Sequence, residues 1–302
     1  MIEDGVQESG EFYRSHPLLN FVYFAFVIGV TMFAMHPVFL AASFIMAWVY
    51  SLVLMGKSAV RFNLFTLVPL VVIMTLINTL NVHNGVTVLF YLNDNRITLE
   101  AIVFGLASSV RLTSVIIWFR CFSGIVTVDK FIYLFGRVAP VIALTLSMIM
   151  RYIPLLKNRF RDISMGQRCM GRVPKGRSLI KKIRLYGKEL SILIAWSLEA
   201  SIESADSMEA RGYGLHGRTS FHLFRFAAWE KRMLALMLVL GGTSAAACAM
   251  GELSIYYYPK IIIPRFNFVQ ALSLGTYLAL MMIPVIMDVR GRKKWNSLYA
   301  SM

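Results

Sequence analysis

Apolar residues along this chain come in long unbroken runs rather than in alternating or one-sided patterns. A run of about 20 apolar residues crosses the roughly 30 Å hydrocarbon layer of a bilayer as a helix. Six stretches approach that length: Leu18 to Met35, Val38 to Met55, Phe62 to Leu80, Ala101 to Phe119, Ala227 to Met250 and Phe266 to Met287. His36-Pro37 divides the first two, and the third contains Pro69, which spanning helices tolerate. The pattern predicts an all-α polytopic membrane protein with about six transmembrane helices.

Between the third and fourth runs, Val86 to Phe90 and Ile97 to Leu99 flank Asn93-Asp94-Asn95, the signature of a short hairpin in a loop. Val138 to Leu156 is also apolar but carries Arg151 and Pro154. A crossing there would put the C-terminal basic cluster on the opposite side. It is therefore expected not to span but to lie as a buried helix at the membrane face, with a true span plus a compensating partner as the alternative. Residues 138–170 should be helical up to a break near Gly171 and Pro174, residues 174–188 a basic linker, and 189–210 a further helix. On that last helix Leu190, Ile194, Leu198, Ala205 and Met208 form an apolar stripe, and Ala200, Ser204, Ser207 and Arg211 a second, small one. Small residues let helix backbones approach closely, so this face suits crossing a partner helix.

Composition sharpens this picture. Of 302 residues 57% are hydrophobic, mean hydropathy is +0.63 and the formal net charge is +15. The stretch 120–226 holds 18 Lys and Arg, and more follow the last run at Arg290, Arg292, Lys293 and Lys294. Basic residues mark the cytoplasmic side, which places both ends of the chain inside without invoking nucleic acid. The domains expected are a cytoplasmic tail (1–17), a four-helix membrane block (18–119), a basic cytoplasmic region (120–226), a two-helix block (227–289) and a basic tail (290–302). No cleavable signal peptide is expected, because the first apolar run is too long for one. Cys121, Cys169 and Cys248 form no CxxC pair, and no two histidines share helical spacing, so no metal site is expected.

Arg211 ends a predicted helix and precedes Gly212, a dipole-favoured cation before a common helix cap. An arginine at a helix tip also suits a bidentate grip on a carboxylate. Arg111 lies inside an apolar run, where a charge costs about 2.5–3.5 kcal/mol on insertion scales, so it is a functional candidate. A buried carbonyl, another subunit or snorkelling could satisfy it. Gly171 to Ser178 nearly matches a phosphate-binding loop, but Arg177 replaces the lysine and no strand precedes it. Glu199, Glu203, Asp206 and Glu209 read as ion-pairing residues on a solvated face.

Met208-Glu209-Ala210-Arg211-Gly212-Tyr213 resembles the second Ala-Arg-Gly motif of the transmembrane T component of energy-coupling factor (ECF) importers. Arg111, Arg151 to Pro154 and Ile163 to Gly171 resemble the same family, and the resemblance covers most of the chain. It implies two cytoplasmic coupling helices whose tips dock into two ABC-type ATPase subunits. Ala210, Arg211 and Gly212 would form one tip. At the other, Gly166 to Gly171 resembles the first motif, but Met170 stands where its arginine is expected. Arg168 or Arg172 would take that role, or the tip would dock through apolar contact.

The resemblance implies a non-catalytic subunit of a prokaryotic plasma-membrane importer for a vitamin or metal ion. The chain would bind no cofactor, ATP being hydrolysed by its partners. Besides the two ATPases, its partners would be one small membrane subunit that binds the cargo and the bilayer itself, with no nucleic acid. The alternative is a conventional ABC permease forming its own translocation path. A membrane enzyme or a nucleic-acid binder is less well supported.

Overall fold

A computed structural model describes residues 10–82, 85–92, 95–136, 139–171, 179–215, 226–258 and 267–300. Eleven helices and one hairpin occur among them: α1 (Glu11–Arg14), α2 (Pro17–Phe33), α3 (Pro37–Met55), α4 (Lys57–Phe62), a π-helical turn (Asn63–Leu67) and α5 (Val68–Asn81). Then follow β1 (Val88–Leu92), β2 (Asn95–Thr98), α6 (Leu99–Ile125), α7 (Val128–Gly136), α8 (Pro140–Cys169), α9 (Leu179–Ala210), α10 (Ala228–Ala249) and α11 (Phe268–Ala300). The chain is an all-α polytopic membrane protein.

Six helical stretches are long and apolar enough to cross a bilayer: 37–55, 57–81, 99–125, 140–169, 228–249 and 268–292. The set differs from the expected one in two members. The helix 17–33 is shorter, at 17 residues, and α8 joins the set. The reading of Val138 to Leu156 as a buried helix is corrected: only 6% of the apolar window of α8 is buried within the chain. Charge parity says nothing of packing, and among the described elements only α9 packs substantially against α8.

The third run is one rod with a defect. Pro69 opens α5 directly after the π turn. Proline has no N–H to give and its ring clashes with the carbonyl four residues earlier, and a widened turn absorbs both problems. The expected hairpin forms, with β1 and β2 antiparallel and Leu92 opposite Asn95.

The chain divides into two compact units, 1–130 with 224–302, and 131–223. The first has an aromatic core. Tyr23, Phe24, Tyr50, Trp118 and Tyr277 are all fully buried, with edge-on contacts such as Tyr23 to Trp118 at 6.2 Å between ring centres. A polar knot lies within it. The Trp118 indole N–H donates to Ser43 Oγ at 3.1 Å, and the Tyr277 hydroxyl shares hydrogen bonds with Thr31 (2.7 Å) and Ser43 (3.3 Å). Such bonds join α2, α3, α6 and α11 where water cannot.

The second unit is built on α8 and α9. The positions of α9 that are at least half-buried are Leu185, Glu189, Leu193, Trp196, Ser197, Ala200, Ser204 and Met208, a stripe at three- and four-residue spacing. The guanidinium of Arg159 on α8 sits over the Trp196 ring at 4.8 Å. Residues 179–188 are helical, which corrects the expected linker. Lys and Arg are good helix formers, and Leu179, Ile183 and Leu190 sit at helical spacing among them.

Candidate coupling tips

The two long helices of the second unit both end on a left-handed glycine whose N–H bonds back three residues. At the end of α9, the Tyr213 N–H donates to Met208 O (3.0 Å) and the Gly212 N–H to Glu209 O (2.9 Å). These are the two bonds of a Schellman cap, and Gly212 takes the left-handed conformation it needs, at φ +80°. At the end of α8, the Gly171 N–H donates to Arg168 O at 2.9 Å, and Gly171 has φ +75°. The partner of the longer bond there would be Arg172, which lies outside the described residues.

The shared cap aligns the tips residue by residue. Arg211 precedes Gly212, and Met170 precedes Gly171. Met170 therefore occupies the place of the arginine, and its side chain is 59% exposed. Arg168 is exposed too, but it lies two residues back, inside the last turn of α8. Ala210 and Arg211 are exposed, and Gly212 is half-buried. Each tip places an exposed side chain directly before its glycine, Met170 on α8 and Arg211 on α9.

On the face of α9 towards α8, Ala200 and Ser204 are half-buried, whereas Ser207 is exposed. The apolar stripe has the opposite fate: Leu190, Ile194 and Leu198 are 50%, 51% and 63% exposed. Met150, Ile153 and Met165 on α8 are exposed as well. Exposed apolar surface on this scale marks a face that something else covers.

Arg111 is not part of the tips. It lies near the middle of the 27-residue α6, and its Nη1 donates to Met35 Sδ at 3.4 Å. Met35 belongs to the turn between α2 and α3, so the guanidinium has climbed from its backbone towards a helix end. It also lies near Tyr257, whose hydroxyl burial pushes up and the Arg111 charge draws back down. A thioether acceptor has no sequence signature, and reasoning from charge alone missed it. Five buried charges also escaped the sequence reading: Glu100, Lys130, Glu189, Glu230 and Asp288. The phosphate-loop-like stretch 172–178 lies outside the described residues, and among those described no cluster of His, Cys, Asp or Glu could hold a metal.

Residues 14–223 match the family described as CbiQ, Cobalt transport protein. The energy-coupling factor transporter transmembrane protein EcfT of Lactobacillus helveticus is 32% identical over 102 residues, covering 33% of this chain and 37% of that protein. EcfT of Bacillus selenitireducens is 32% identical over 111 residues, covering 36% of this chain and 41% of that one. The matched part thus spans about two-fifths of the length of these relatives. The family match takes in α8, α9 and both tips and stops short of α10. The chain belongs to the CbiQ family, as an EcfT/CbiQ-like T component, a multi-pass membrane protein with six helical stretches apolar enough to cross a bilayer.

Proposed function

We propose that this chain is the scaffold and force-transmitting subunit of an ECF-type importer in a prokaryotic plasma membrane, with both termini cytoplasmic. Two ABC-type ATPases dock on the ends of α8 and α9, and a small membrane subunit that carries a vitamin or metal ion rests on the apolar residues these helices leave exposed. ATP is bound and hydrolysed by the ATPases; the chain itself is non-catalytic. Closure of the ATPases moves the tips, the paired helices carry the displacement as levers, and the cargo subunit is tilted to release its load.

The observation that carries this reading is the pair of helix ends that share a left-handed glycine and its bond back three residues, with the exposed Met170 or Arg211 directly before it. A free arginine at one end suits a carboxylate in a partner groove. Arg211→Glu should lower recovery of the ATPases in a mild-detergent pull-down by about tenfold or more, the scale of a lost charged contact. The variant should still insert at the wild-type level. Unchanged ATPase recovery would remove Arg211 from the docking site. Mass spectrometry of the wild-type pull-down should find two ATPase chains and one small, very hydrophobic protein, whose identity names the cargo.

A further inference from the structure

The segment 10–20 is tied down by buried charges from three different helices. Asp288 on α11 accepts from the Phe12 N–H at 3.0 Å and from the Tyr50 hydroxyl at 3.4 Å. Glu230 on α10 accepts from the His16 N–H at 2.8 Å with one oxygen and from the Ala227 N–H at 3.0 Å with the other. Lys130 on α7 donates to the carbonyl oxygens of Tyr13 and Ile125, and to Asn20 Oδ1 at 3.0 Å, with the Asn20 amide also donating to Phe12 O. All three ammonium protons are used, the charge lies over the Tyr13 ring at 4.4 Å, and no carboxylate takes part. Holding such a cation in a dry place is unfavourable, and burial lowers its pKa to about 8.

The location of two of these ties is the informative part. The chain leaves the membrane unit after Lys130 and re-enters it at Phe224. Lys130 is thus the last residue before one crossing, and Glu230 lies in the first turn of the helix after the other. Both grip the same short stretch, at Tyr13 and His16, and the His16 ring adds an edge-on contact with Phe226 at 4.4 Å. Asp288 then holds that stretch to α11, one residue before Tyr13.

We propose that residues 12–16 are a common yoke, through which both covalent links to the α8–α9 unit pull on the membrane helices, with Lys130 and Glu230 as its positioning residues. This rests on the lever function proposed above. Displacement of α8 and α9 reaches the membrane unit at Lys130 and at Glu230, and the yoke makes the two inputs act on α11 together.

The test uses the whole complex in lipid vesicles. A reporter cysteine replaces the exposed Arg14 within the yoke, and the exposed Cys169 is changed to Ala. Labelling by a membrane-impermeant maleimide is compared without nucleotide and with ATP plus vanadate. The wild-type background should show a change of about fivefold in labelling rate, within the usual range of coupling between sites. Lys130→Met should abolish that change while ATPase recovery and ATP hydrolysis persist. Glu230→Gln keeps the side-chain shape and serves if Lys130→Met fails to insert. A nucleotide response that survives in both variants, or that is absent from the wild-type background with ATPases bound, overturns the yoke alone. Failure of any ATPase to copurify overturns the lever function, and the yoke with it.

Discussion

The membrane unit and the α8–α9 unit bury their side chains very differently. The first keeps Trp118, Tyr50 and Tyr277 fully out of contact with its surroundings and satisfies the polar atoms among them internally. In the second, the buried positions among the described residues are Ala143, Gln167 and Glu189, while Leu179, Ile183, Leu198 and Ile202 stand more than 60% exposed. Both regions expose apolar side chains, Phe33, Phe65 and Phe268 in the first among them; the difference is that the first encloses a large aromatic core, whereas the second is a two-helix frame with little core of its own.

Substitutions should separate the two halves, beginning with the largest effect. Trp118→Ala removes the ring at the centre of the aromatic core and should cost about 3–5 kcal/mol, read as a loss of folded protein on heating in detergent. An equal loss from an α9 surface change would break the contrast. Next is Lys130. Its folded pKa lies near 8, against 10.5 unperturbed, through burial. Of the charged residues on the elements around it, Glu11 and Arg14 line an open cleft with Trp229, and Arg120 stacks on Phe62. Between those two pH values the unfolded chain binds the proton and the folded one has released it, so stability rises with pH. Relative to Lys130→Met, the wild type should gain about 2 kcal/mol on going from pH 8 to pH 10, visible as a shift in melting temperature.

Gly212→Ala is a smaller perturbation. A Cβ at φ +80° would be strained and would meet Leu215 at 3.0 Å. About 1–2 kcal/mol of local strain is expected, seen as faster amide exchange over the last turn of α9 with the membrane unit unaffected. The smallest effect on stability is Ile194→Ser, within about 0.5 kcal/mol for the isolated chain, as for exposed positions generally. The same change should weaken recovery of the small membrane partner. If it instead melts the chain, the face is part of the folded core and the comparison fails.

Much of this organisation is legible in the sequence, and the reasons are physical. A spanning helix must be apolar over its whole length, so five of the expected runs coincide with helices that can cross a bilayer, and Asn93-Asp94-Asn95 announces its hairpin. The cap at Gly212 is visible because the left-handed turn favours glycine. The misses share a different cause. Lys181, Lys182 and Lys188 look like a linker when charge is counted, but they extend α9 because their long side chains cost a helix little. Met170 looks like a defect until the α8 cap shows that it occupies the place of Arg211. Lys130, Glu230 and Asp288 could not be found by pattern, since each acts across 117 to 276 residues of sequence.

The matched caps carry one more consequence. Two plugs of the same moulding, one greasy at Met170 and one cationic at Arg211, cannot be swapped between sockets without loss. Any pair of motors that grips both would therefore be keyed: even chemically identical motors would have to bind unlike ends, and the assembled machine would have a left and a right.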